Sequence, residues 1–252
     1  SIHFLRASDY PLHPAFDKAY AAADTLLMEL DMDNMDTVNS IMVIESLSKD
    51  PQGLKLKEQI GTARYQQVIT RAEMLDINTL LLDDKEAWYA AIVVSQIRLM
   101  QMGFDPSRGI ETRFTAMAMA DGKPIDGLET LADQLGVLDR MSIDTQAEFL
   151  LESLNDQATA EAEMQSMVTA WKSGDSEALA QTMLEGIGDI PELYSELIVK
   201  RNINWANQIE QLDKSNRGKT YLVIVGGMHL VGPDSVQHQL KSKGISYRQL
   251  AD

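Results

Sequence analysis

The chain carries four histidines and no cysteine, which removes thiol nucleophiles, thiolate metal sites and disulfides and brings imidazole and carboxylate chemistry to the front. His229 stands just past the run 221–225, Tyr-Leu-Val-Ile-Val. That run has the length and β-branching of a strand buried on both faces, and Gly226-Gly227 stops it. His3 opens the chain where a strand would precede it. Glu29 is the odd member of the apolar run 25–31, close to its carboxyl end. An ionised carboxylate there is costly unless it is paired, protonated or bound to metal; the plainer reading is a strand end facing solvent. Two imidazoles and one carboxylate are the ligand set of a catalytic metal site that keeps a position open for water. With nitrogen and oxygen donors only, manganese, cobalt or zinc all suit such a set. His13 lies in a Pro-flanked loop and His238 among polar residues of a helix, so both read as surface.

A cation and two further acids complete the candidates. The apolar stripe Tyr194, Leu197, Ile198, Trp205, Ile209 and Leu212 has helical spacing, and its period places Arg201 inside it. A guanidinium on a buried face must meet a carboxylate, an anion or substrate; a structural ion pair to a core acid is the plainer reading. Glu129 follows a short strand predicted over 125–128, and Glu111 opens a helix predicted over 111–121. Neither a His-Glu-x-x-His, a Gly-x-Ser-x-Gly nor a phosphate-binding Gly-Lys-Ser/Thr sequence occurs, which removes the common zinc-protease, serine-hydrolase and P-loop readings.

Strand ends and helix faces must carry these residues. Helix is expected over 15–23, strand over 25–31, and helix over 35–108 with breaks at 50–53 and 83–84; residues 86–102 give the clearest helical period. Residues 130–174 again read as helical, and Met164 and Met167 there read as core filler. Pro191 begins the last long helix. After His229, Pro233 and Asp234 look like a helix start, Gly244 like its cap, and 245–250 like one more strand. The expected architecture is α/β: one domain, 1–252, with a small, mainly parallel sheet formed from both chain ends. Its core draws on 1–34, 109–130 and 191–252, with a large helical insertion over about 35–190 interrupted by the 124–129 strand.

A formal net charge of −16 opposes nucleic acid and anionic membrane as partners. No run of eighteen apolar residues occurs, so no membrane span is expected in this chain.

The runs Arg201-Asn202 and Val225-Gly226-Gly227-Met228-His229-Leu230-Val231-Gly232-Pro233-Asp234, with Ser1-Ile2-His3-Phe4 and Glu29-Leu30-Asp31, resemble the TraB/GumN proteins, relatives of the Tiki metalloproteases. Gly109-Ile110-Glu111 and Gly127-Leu128-Glu129-Thr130 fit the same order of blocks. The resemblance implies two Gly-x-x-His motifs, a glutamate after the first and an arginine before the second. These fall on His3, Glu29, Arg201, and Gly226 with His229; the first motif's glycine would lie before Ser1. It also implies a metal-dependent hydrolase, a peptidase in the Tiki manner acting on a peptide or small-molecule substrate, with manganese or cobalt favoured. His3, Glu29 and His229 would bind the divalent metal, Gly226 and Gly227 would be its cofactor-binding neighbours, and Arg201, Glu129 and Glu111 would serve catalysis. Wider relatives include erythromycin esterases and a haem-binding iron-uptake protein. A metal-independent esterase-like hydrolase with a histidine base and a non-catalytic haem or iron binder are therefore the alternatives. Family members are commonly exported, so a periplasmic or cell-surface location is the expectation. All of these readings require the two chain ends to be neighbours, with His3, Glu29 and His229 converging and His13 and His238 elsewhere.

Overall fold

The computed structural model describes residues 1–184 and 187–249. Its order is α1 (Pro14–Ala22), β1 (Thr25–Met28), α2 (Thr37–Leu47), α3 (Leu56–Ile60), α4 (Thr62–Met74), α5 (Ala87–Gln101), α6 (Ile110–Asp121) and β2 (Ile125–Gly127). There follow α7 (Leu131–Asp139), α8 (Ile143–Ser153), α9 (Gln157–Ser173), α10 (Ser176–Leu184), α11 (Pro191–Tyr194), α12 (Arg201–Ser215), β3 (Tyr221–Ile224) and α13 (Val236–Ser242).

The strands form a parallel sheet of order β2-β1-β3, with Leu26 opposite both Ile125 and Leu222. All four β1 residues are buried because both faces are covered. Leu26 and Met28 point one way, onto Ile2, Leu5, Tyr20, Ile110 and Phe114. Leu27 points the other way, onto Trp205, Val225 and Val236. The sheet thus lies between α6 with the N-terminal segment on one side and α12 with α13 on the other, so that the three strand ends share one edge.

The helices between β1 and β2 and between β2 and β3 build their own cores. Val68, Ala91, Val94 and Leu150 belong to one, in which α4, α5 and α8 pack together, and Trp88, Leu138 and Leu193 to another. Among the described residues no helix is long and apolar enough to cross a membrane.

Two expectations are corrected and one is refined. The last long helix does begin at Pro191, but a π-helical stretch, Ser195–Lys200, lies between α11 and α12, immediately before Arg201. The final helix begins at Val236 rather than at Pro233, with the Ser235 side chain accepting from His238 N–H. Asp234 is held outside it, its carbonyl by Asn202 and its carboxylate by Tyr194. Residues 245–249 form no strand: Ile245 N–H folds back to the Leu240 carbonyl, and Gln249 reaches the Gly174 carbonyl at the end of α9, which draws the segment from the sheet. Leu250 lies outside the described residues.

Candidate active site

Glu29 is the first residue past β1 and Glu129 stands two residues past β2. The backbone pairing runs on beyond both strands, Leu128 N–H to Met28 O and Glu129 N–H to Glu29 O (3.0 Å), which sets the two carboxylates side by side at the sheet edge. Beyond β3, Gly226 N–H donates to Glu29 Oε1 at 2.6 Å, and a short 3₁₀ turn, Gly227–Leu230, carries His229. Gln134 from α7 donates to Glu29 Oε2 at 2.9 Å.

Arg201, the first residue of α12, binds these groups together. Its Nη2 meets Glu29 at 2.7 Å and Glu129 at 2.5 Å, its Nε meets Glu129 at 3.2 Å, and its Nη1 lies 3.1 Å from His229 Nε2. The next residue, Asn202, is fully buried, and its Oδ1 is 2.6 Å from His229 Nδ1. Asn202 Nδ2 donates to the Asp234 carbonyl, so the amide is oriented with Oδ1 as acceptor. His229 therefore holds its proton on Nδ1 and turns a lone pair at Nε2 towards Arg201. Trp205, one turn further on, covers the imidazole at 4.4 Å between ring centres.

His3 reaches the same edge by a different route. Ile110 N–H donates to the Ile2 carbonyl, and Gly227 N–H to the Ser1 carbonyl, so the segment is pinned between α6 and the β3 exit. Gly109 makes this possible: a Cβ there would lie 2.2 Å from the His3 carbonyl oxygen. His3 Nδ1 pairs with Glu111 Oε1 at 3.1 Å, and its ring is 57% exposed. Its Nε2 lies 3.6 Å from the place a Cβ on Gly226 would occupy, where Glu29 Oε1 (3.2 Å) and His229 Cδ2 (3.5 Å) also meet. The two ends of the chain thus bring His3, Glu29 and His229 around one glycine.

Burial and charge separate the protonation states. Burial depresses the His229 pKa to about 3; Glu29 opposes this and Arg201 adds to it, so the ring is neutral near neutral pH. The groups packed around His3 displace enough solvent to pull its pKa down although more than half of its side chain is exposed, but the Glu111 hydrogen bond and charge outweigh this and raise it. Burial raises Glu111, yet its bond to His3 and that ring's charge bring it down to about 2. Glu29 is raised by burial and lowered more by Arg201, the imidazoles and Gly226 N–H, so its pKa falls. Glu129 goes the other way: burial outweighs Arg201, and the Glu29 charge adds to it.

Residues 1–249 match the model of the TraB/PrgY/gumN family. The chain belongs to that family. It is 23% identical over 241 residues to the uncharacterised protein YbaP of Escherichia coli K12, covering 96% of this chain and 86% of that protein, and equally to its counterpart in Shigella flexneri. Over 68 residues, 27% of this chain and 13% of the relative, it is 37% identical to a protein named metalloprotease TIKI homologue from Amphimedon queenslandica. No solved structure matches it.

In this TraB/PrgY/gumN chain the residues singled out in the sequence gather into two linked groups, His3 with Glu111, and Glu29 with Glu129, Arg201 and His229. His238 is exposed on α13, and His13 caps α1 by accepting from Ala15 N–H. His13 also lines a cavity of about 830 Å³ between α1 and the end of α9, which shares no residue with the cluster. The ion pair weighed for Arg201 exists, with two acids in place of one. By sequence Asn202 and Gln134 take no part in the site, and Trp205 is only a member of the apolar stripe. For Asn202 a signal existed, since it lies four residues after Ile198 and three before Trp205, an amide on the buried stripe.

The donors suit a divalent ion in kind and orientation: each imidazole has Nδ1 tied to an oxygen, Asn202 or Glu111, as metal-binding histidines do. Their present spacing is another matter. Among the described residues no three of His, Asp or Glu surround one point closely enough to hold an ion, and the Arg201 guanidinium takes the His229 lone pair.

Proposed function

We propose that this chain is a hydrolase of peptide bonds whose centre is the cluster around Gly226, with His3, Glu29 and His229 as the residues that would hold a divalent ion of the manganese, cobalt or zinc kind. Such an ion supplies Lewis acidity and a lowered pKa for water. The observation that carries the reading is the orientation of the two imidazoles, each fixed at Nδ1 by an oxygen acceptor so that Nε2 is left for the centre.

The chain's own groups have separable tasks. Asn202 fixes the His229 tautomer, and burial keeps that ring unprotonated. Arg201, once turned from Glu29, offers a guanidinium to the negative charge that develops on a substrate carbonyl oxygen. Glu129, its pKa raised by burial, is suited to take a proton from water and return it to the leaving amine. Trp205 keeps water from the far side of His229.

The metalloprotease named among the relatives supports the peptide choice over its short matched stretch. The test is cleavage of quenched-fluorescent peptides by the full-length protein before and after chelation and manganese, cobalt or zinc add-back, with metal content measured for wild type, Glu29→Gln and His229→Ala. Loss of both cleavage and bound metal in the two variants is expected; metal content unchanged in both defeats the proposal.

A second reading rests on the His3–Glu111 pair, a base oriented by a carboxylate on the exposed side of the cluster, together with Arg201 in the ion's place. It predicts ester hydrolysis that chelators leave intact and that His3→Ala abolishes.

A further inference from the structure

Five methionines line one cavity beside the cluster. Met102 comes from the end of α5, Met164 and Met167 from α9, Met183 from α10, and Met228 from the turn that carries His229. All five are half-buried, and the cavity measures about 290 Å³. Since a cavity of about 150 Å³ already takes a benzene ring, this one has room for a large side chain and part of its neighbour, and is too small for a whole peptide.

The Gly226-Gly227 pair stands between Met183 of this cavity and the cluster. A Cβ on Gly226 would touch Glu29, His229 and His3, whereas a Cβ on Gly227 would lie 3.1 Å from both Sδ and Cε of Met183. Consecutive Cα atoms are about 3.8 Å apart, so a peptide whose reacting bond lies at Gly226 has its adjacent side chain within reach of Met183 and Met228. Thioethers on unbranched side chains adjust to the shape of an apolar guest. Arg98 and Glu163 stand in the same wall, Arg98 buried with its Nη atoms on the carbonyls of Ser153 and Asp156 and drawn by the Glu163 charge, so the two charges offset each other. A charged side chain of either sign would lose its water against the thioethers.

We infer that the methionine cavity, whose Met183 abuts Gly227, is a specificity pocket, accepting a large neutral apolar side chain, such as leucine or methionine, beside the bond that the cluster cleaves. This rests on the hydrolase reading for its purpose, and on the cavity alone for its binding.

Binding is read without turnover, in the full chain labelled with ¹³C at methionine methyls and titrated with the N-acetyl amides of leucine, methionine, glutamate and lysine. Leucine and methionine amides should shift the methyls of Met183, Met228 and Met164, leave the exposed Met74 and Met119 unmoved, and lose their effect on Met183 in Met228→Glu but keep it in Met228→Leu. In the cleavage assay, peptides with leucine or methionine beside the scissile bond should exceed glutamate or lysine peptides at least tenfold in kcat/KM, and Met228→Glu should erase that preference. Absence of methyl shifts, shifts equal at Met74, or cleavage indifferent to the side chain overturns the pocket. Selective shifts in a protein that cleaves nothing leave the pocket standing and remove the hydrolase reading.

Discussion

Arg201 Nη1 stands 3.1 Å from His229 Nε2, so a cation sits on the lone pair that a metal ligand would use. The same guanidinium is the sole basic side chain among the described residues that pairs with Glu29 and Glu129. Removing one partner of a buried charge set leaves the others unpaired, at a cost of about 3–5 kcal/mol. Arg201→Met should therefore melt well below wild type in chelator, and manganese or zinc should restore part of the loss by neutralising the two acids. Thermal melts with and without metal check this. A metal-induced shift no larger than in wild type would show that the ion and the arginine do not compete.

Asn202 acts through His229. Asn202→Ala removes the acceptor at 2.6 Å and leaves a buried Nδ1–H unpaired. A tenfold to hundredfold loss of metal affinity or of activity, of the order seen when such outer partners are removed, is the expected result. Metal titration beside a melting curve distinguishes lost ligand orientation from simple unfolding.

Gly109→Ala tests how His3 is positioned. Its Cβ would stand 2.2 Å from a backbone oxygen that cannot swing aside. A loss of about 1–3 kcal/mol in stability is expected, with the His3 NMR titration shifted as its contact with Glu111 loosens. Gly227→Ala, whose Cβ would meet the flexible end of Met183 at 3.1 Å and the Ser1 carbonyl oxygen at 3.2 Å, should cost less, because neither contact is as short as the one at Gly109.

Glu86 gives stability a pH dependence away from the site. It is buried at the start of α5, where burial and then the Asp139 charge raise its pKa from 4.5 to about 7 despite the hydrogen bond from Trp88. Because the folded-state pKa is the higher one, the folded protein binds more protons between the two values. The Glu86 contribution is fully present below about pH 4.5 and is lost as pH rises towards 7. Glu86→Gln keeps an acceptor for Trp88 and should stabilise the protein by on the order of 2 kcal/mol at pH 8, with little effect at pH 4.5. Denaturant midpoints at the two pH values check the sign.

Local pattern in the sequence was enough for the runs that became β1, β2, β3 and α5, because strand and helix periods are written in consecutive residues. It also supplied His3, Glu29, Glu111, Glu129, Arg201 and His229 as candidates, since a charged or titratable group beside an apolar run is conspicuous. What it could not contain was the partner of each. Glu29 is 172 residues from Arg201 and 197 from Gly226, and only the parallel pairing of β1 with β2 and β3 makes them neighbours. The tertiary structure likewise decided that the Arg201 guanidinium, immediately after the π-helical stretch, meets two acids and an imidazole, and that Asn202 fixes the tautomer of His229. It also drew residues 245–249 towards Gly174 and away from the sheet, since an alternating segment becomes a strand only where a free edge is within reach. Residue types and spacing therefore fixed what chemistry was available, and the long-range packing of the sheet edge fixed which of those groups touch.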